Sequence, residues 1–211
     1  MKKIRVLSSR DLNNEKNMVI TNKKLQHIEK SIKTAERVKK HGEVFTPSTT
    51  VQEMIGLIPD EVWADPTKNT LEPTCGNGNF IIAIINKKIK CGQTITQALS
   101  STYGVDIMYD NIIEIYEKIF LGYLKTLFPD NQFECMKIML HNIRLVKKSN
   151  DGTLGLNLST VSKHFPGIDK TKCKDCIEEH AKACLTLFNE GNLPAKEDIL
   201  CPLCNKGGQR C

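Results

Sequence analysis

The chain has 211 residues, enough for one main domain and a small module, and a domain of ~150 residues buries about two-thirds of the surface its unfolded chain exposes. Apolar residues make up 40% and charged residues 26%, ordinary for a soluble globular protein. No apolar run reaches the ~18 residues of a membrane span, and Met-Lys-Lys-Ile-Arg-Val-Leu at the start lacks the apolar core of a secretory signal, so no membrane contact and an intracellular, cytoplasmic setting are expected.

Charge is unevenly placed. Residues 1–40 hold twelve Lys and Arg against four Asp and Glu, a net +8, which leaves −2 for the remainder of a chain whose total is +6. A basic end on a near-neutral body suggests contact with a polyanion, most often nucleic acid, through residues 1–40. The plain alternative is a solvated, Lys-rich arm.

Residues 1–20 read as irregular, with Asn13-Asn14 breaking the period. Leu25, Ile28, Ile32, Ala35 and Val38 recur three and four apart and predict an amphipathic helix from Thr21 to Lys40, stopped by Gly42. Thr50-x-x-Glu53 reads as a capping box opening a second helix, which Pro59 ends. Residues 69–73 predict a strand leading into a Gly-rich turn, and Phe80 to Lys90 a helix closed by Gly92. Residues 94–100 predict a short helical piece, and Tyr103 to Ile107 a strand. Asp110 is expected to cap a long helix to about Phe128, followed by a turn at Pro129-Asp130-Asn131. Residues 133–146 are ambiguous, with a strand favoured at Ile138 to Ile143. Strand, Gly turn, helix, strand, helix, strand is the order of a doubly wound α/β sheet. Residues 147–169 are Gly-, Ser- and Asn-rich, a linker or degenerate strands.

The chain has nine cysteines, most of them from Cys173 onward. In a reducing compartment a disulfide framework is not expected. Cys173-x-x-Cys176 and Cys201-x-x-Cys204 are two knuckles separated by twenty-four residues, and four thiolates at such spacing converge on a tetrahedral zinc. Residues 170–211 are therefore expected to form a small zinc-binding module of ribbon type, with Gly207-Gly208 after the second knuckle. His180 and Cys184 are alternative ligands or simple core and surface positions. Cys75, Cys91 and Cys135 read as buried small apolar residues, and Cys211 as a free thiol.

The central motif is Leu71-Glu72-Pro73-Thr74-Cys75-Gly76-Asn77-Gly78-Asn79-Phe80, after a strand and opening a helix. Glycines there let the backbone turn sharply and approach a ligand, and the helix start offers free N–H groups. Asp106, at the tip of the next strand, stands where a carboxylate commonly holds a ribose.

These residues resemble motif I of the N6-adenine DNA methyltransferases. Tyr103-Gly104-Val105-Asp106-Ile107 is similar to their motif II, and Gly42-Glu43-Val44-Phe45-Thr46-Pro47 to their motif X. The order X, I, II matches the gamma arrangement, and the resemblance covers roughly residues 38–145. It implies a Rossmann-like, methyltransferase-type sheet over 41–146 that binds S-adenosylmethionine. By analogy Phe45 and Thr46 line the methionine end, and Glu72, Gly76 and Gly78 approach the amino acid and ribose portions. Asp106 takes the ribose and Ile107 packs on the adenine, with Pro73, Cys75 and Phe80 completing the motif I set.

The family's catalytic Asp/Asn-Pro-Pro-aromatic, which holds a flipped base, has no counterpart: no Pro-Pro pair occurs in the sequence. Leu156-Asn157-Leu158 has only the Asn, and His141-Asn142-Ile143 lacks the third motif's acid. The fold is thus expected to be truncated, with no length for the later strands or a recognition domain, and no catalytic residue is assigned. Two functions follow as expectations. One is a methyltransferase-like protein, inactive alone, that binds nucleic acid, a protein complex, or both. The other is the S-adenosylmethionine-binding subunit of a split adenine methyltransferase whose partner chain supplies the missing motif, the setting of a restriction-modification system.

Overall fold

The computed structural model describes residues 32–145 and 174–199. Helix α1 spans Ala35–His41, α2 Ser48–Gly56 and α3 Asp60–Ala64. Strand β1 (Thr70–Glu72) leads through the Gly turn into α4 (Asn79–Lys90), then α5 (Ile95–Ser100) and β2 (Thr102–Asp106). Helix α6 (Tyr109–Ile119) widens into a π turn over Phe120–Leu124. Helix α7 (Gln132–Asn142) runs directly into β3 (Ile143–Leu145), and α8 (Lys174–Asn189) and α9 (Lys196–Ile199) follow. The strands form a parallel sheet in the order β1-β2-β3, with Leu71 beside Tyr103 and Val105 beside Arg144. The chain is mixed α/β, and no helix among the described residues is long and apolar enough to cross a membrane.

Helix α4 lies between two apolar clusters. Ile81 and Ile85 face the main one, with Leu99, Ile112, Ile115, Ile119, Met136 and Met139. Ala83 and Ile84 face a smaller one with Val51, Ile55 and Trp63. At the far end of β2, Lys88 is fully buried without a carboxylate. Its Nζ donates to the Ser101 carbonyl at 2.7 Å and to Ser101 Oγ at 2.8 Å, and burial pulls its pKa down to about 8.

Four expectations are corrected. The stretch favoured as a strand at Ile138 to Ile143 is helix α7 up to Asn142, because Cys135, Met136 and Met139 bury one face at helical spacing and only Ile143 turns extended. The Thr50–Glu53 capping box does not form: α2 begins two residues earlier, after Pro47, and a short α3 follows Pro59. A real capping box stands instead at Thr94 and Gln97, opening α5. Asp110 lies in the first turn of α6 rather than at its cap, and the regular helix ends at Ile119. Of the helix predicted over Thr21 to Lys40, residues 21–31 lie outside the described part. Thr34 caps the visible part, Gly42 stops it at φ 65°, and none of its residues is buried.

Helix α8 belongs to the same core as the sheet. Ala181, Cys184 and Phe188 sit in the main cluster, and Phe188 stacks on Phe120 with ring centroids 5.1 Å apart. Phe188→Ala is expected to lower the stability of the whole body by about 3 kcal/mol, through lost burial and a cavity. Urea denaturation followed at Trp63, which sits in the other cluster, reads this; an unchanged midpoint would mean that α8 melts separately.

Candidate functional site

The Gly-rich turn begins where β1 ends. Cys75 N–H donates to the Val105 carbonyl at 2.9 Å, holding the turn to β2 one step past the ladder. Two residues of the turn need a left-handed backbone: Gly76 at φ 50° and Gly78 at φ 88°. Space is tight for a side chain at Gly76 and closed to one at Gly78. A Cβ on Gly76 would come within 3.2 Å of the Phe45 ring, and one on Gly78 within 2.5 Å of Ile115 Cγ1. The Cys75 side chain is turned inward against Gly104, and burial pushes its thiol well above the ordinary range, so it is an inert packing group.

Asp106 ends β2 and is 8% exposed. Its Oδ2 accepts the Gly76 N–H at 2.9 Å, and its Oδ1 accepts from the Met108 N–H at 2.7 Å and from Asn111 Nδ2 at 3.3 Å. Burial raises its pKa; the three N–H donors oppose the shift, and the nearby Glu43 charge adds to it. The carboxylate therefore clips the Gly turn to the strand tip.

The segment around Phe45 lies on this clip. The buried Phe45 ring rests on Gly76, and the Thr46 carbonyl accepts from Asn79 Nδ2 at 2.9 Å. Glu43 Oε1 accepts from Asn111 Nδ2 at 2.7 Å and from Arg37 Nη2 at 2.6 Å. Arg37 Nε also lies 2.5 Å from Glu43 Oε2, an ion pair without hydrogen-bond alignment. Arg37 Nη1 reaches Asp110 at 2.5 Å, and Lys33 Nζ reaches Asp110 at 2.8 Å and Glu114 at 2.9 Å. Burial alone would raise the Asp110 carboxyl, but Arg37 and Lys33 outweigh it and hold it below the ordinary value. Lys118 and Lys33 do the same at Glu114. Both contributions are present above the ordinary carboxylate pKa and fade as pH falls through the lowered values.

The fold thus brings Phe45, Thr46, Gly76, Gly78 and Asp106 together. Glu72 is half-buried at the edge of the turn, its Oε1 accepting the Thr74 N–H at 3.2 Å. Pro73 and Ile107 are also half-buried. Phe80 points elsewhere, packing on the Val51, Ile55 and Trp63 cluster. Glu43, Asn111, Asn79, Arg37 and Lys33 were not singled out as site residues. Glu43 stood inside the quoted motif, whereas nothing in the spacing marks Asn111.

Cys173, Cys201 and Cys204 lie outside the described residues, as does the Cys176 side chain. Among the described residues no group of three or more His, Cys, Asp or Glu is placed to hold a metal. His180 Nδ1–H donates to the Asp198 carbonyl at 2.6 Å, and the buried Cys184 thiol is pushed up to about 12 by burial.

Gly78→Ala is expected to destabilise the fold by about 2–3 kcal/mol, from the strained φ and the clash with Ile115. Adding Ile115→Ala should not rescue it fully, because the backbone strain remains. Thermal denaturation of the two variants checks this, full rescue meaning that the clash alone matters. Comparison with protein-family models, curated proteins and solved structures finds no match to this chain.

Proposed function

We propose that this chain is a Rossmann-like, methyltransferase-type module that binds S-adenosylmethionine beside nucleic acid and does not carry out methyl transfer with its own residues. The observation that carries the reading is the Asp106 clip on Gly76 beneath the Phe45 ring. Three segments that resemble methyltransferase motifs, far apart in sequence, meet at one turn. Glycines at positive φ keep the turn tight beneath Phe45 and against Ile115, and a carboxylate at the second strand's tip suits a ribose diol.

In this reading Gly76 and Gly78 would take the amino acid end and Asp106 the ribose, with Ile107 against the adenine. When bound, the cofactor supplies an electrophilic methyl group. The chain's own residues bind and orient it, and no Pro-Pro-aromatic motif among the 211 residues is there to receive a base. The +8 charge of residues 1–40 is the reason to place nucleic acid, or a complex containing it, next to this site. If a partner chain brings the missing motif, the pair is a split adenine methyltransferase.

Calorimetric titration of the zinc-replete chain with S-adenosylmethionine should give saturable heat in the micromolar range. Asp106→Asn, which keeps an acceptor for the Gly76 N–H but loses the charge, should weaken it by about tenfold. No heat at millimolar cofactor would remove the reading.

The second component is a structural zinc on Cys173, Cys176, Cys201 and Cys204. Its support is the spacing of the two Cys-x-x-Cys pairs in the sequence. The Cys184 thiol is buried and donates to the Asp198 carbonyl, which favours the four-Cys set over a set that includes Cys184. Elemental analysis should find about one zinc per chain, lost in Cys201→Ser, and chelation should lower the melting temperature. A chain produced with ample zinc yet metal-free would overturn this component.

A further inference from the structure

Helix α1 buries none of its residues, yet it is fixed against the N-terminal half of α6. Charge does this work. Arg37 joins Glu43, on its own segment, to Asp110 on α6, and Lys33 joins Asp110 to Glu114. The only buried apolar side chain between Lys33 and Thr46 is Phe45, and it sits on Gly76. Asn111 links the two systems, because its amide donates both to Glu43 and to Asp106. The donors to the Asp106 carboxylate belong to the Gly turn and to the start of α6, whereas the segment itself covers Gly76 through the Phe45 ring.

The geometry points to residues Lys33–Thr46 acting as an ionic strap that holds the Phe45 ring over Gly76 and must lift for a nucleoside to lie on the Gly turn beside Asp106. The inference rests on the reading of that turn and Asp106 as a nucleoside site. A segment held by ion pairs with one aromatic anchor opens at a small fraction of the cost of unfolding, and added salt weakens it. A polyanion drawn to the basic residues would compete with Asp110 and Glu114 for Lys33 and Arg37. Ligand entry would thereby be linked to polyanion binding.

Hydrogen exchange of the full chain, read by mass spectrometry at low and high salt, needs no ligand. In Arg37→Gln the amides from Val38 to Thr46 should exchange about tenfold faster, the loss of a few hydrogen bonds to charged groups, while those of α4 stay unchanged. Lys33→Gln, at the more exposed end, should act in the same direction with less effect, and high salt should bring the wild type toward the variants. Equal exchange of 38–46 in all three proteins at both salts would overturn the strap. So would an equal rise in α4, which would mean that Arg37 holds the whole fold. The association rate of S-adenosylhomocysteine, measured by surface plasmon resonance, then separates the two ideas. A faster rate in Arg37→Gln supports gating, and an unchanged rate overturns it. If the strap amides respond while neither protein binds the nucleoside, the ionic strap stands and the cofactor reading falls.

Discussion

One hydrogen bond organises the upper end of this molecule. The Gly76 N–H points at Asp106, whose carboxylate also caps the turn into α6 through Met108. A buried carboxylate is costly unless its oxygens are hydrogen-bonded, and here backbone donors and one amide meet that need. The same contact makes the Gly turn a fixed feature rather than a loose loop. The turn's backbone shape, the seat for Phe45 and the start of α4 all depend on it. The carboxylate's position therefore has a structural cause, whatever ligand it meets.

Local signals carried much of the fold in the sequence. Gly42 and Gly92 stand at helix ends, and the Gly turn stands between strand and helix as expected. The β1, β2 and α4 segments lie within a residue or two of where pattern and turn chemistry put them. The failures share a cause. Ile138 to Ile143 looks like a strand because its apolar residues are adjacent, and only the tertiary burial of Cys135, Met136 and Met139 together selects the helix. Thr50 and Glu53 satisfy a capping pattern, but the helix already begins at Ser48, directly after Pro47, which leaves both inside it.

The site was legible to a lesser degree. Glycine and strand-tip acid could be found by spacing, because the chemistry fixes their offsets. Asn111 and Arg37 could not, because what joins them to the site includes contacts across long separations in the chain, from Asn111 to Glu43 and from Arg37 to Asp110. The two Cys-x-x-Cys pairs are the reverse case: plain in the sequence, with three of the four cysteines outside the described residues. The region around them is no appendage, since α8 fills the main core with Ala181, Cys184 and Phe188.

The sheet order has a geometric consequence. β1 is three residues long and pairs with β2 alone among the described strands, and Leu71 is turned toward solvent at 41% exposure. In an open α/β sheet a ligand crevice forms where strands diverge to either side of one strand, so it has two flanks. The described residues build one flank, from β2 and α6. Among the described residues the β1 edge carries no further strand, so whatever would enclose a small molecule on the Gly turn from that side must come from the segment around Phe45, whose ring lies over Gly76, or from outside the described residues.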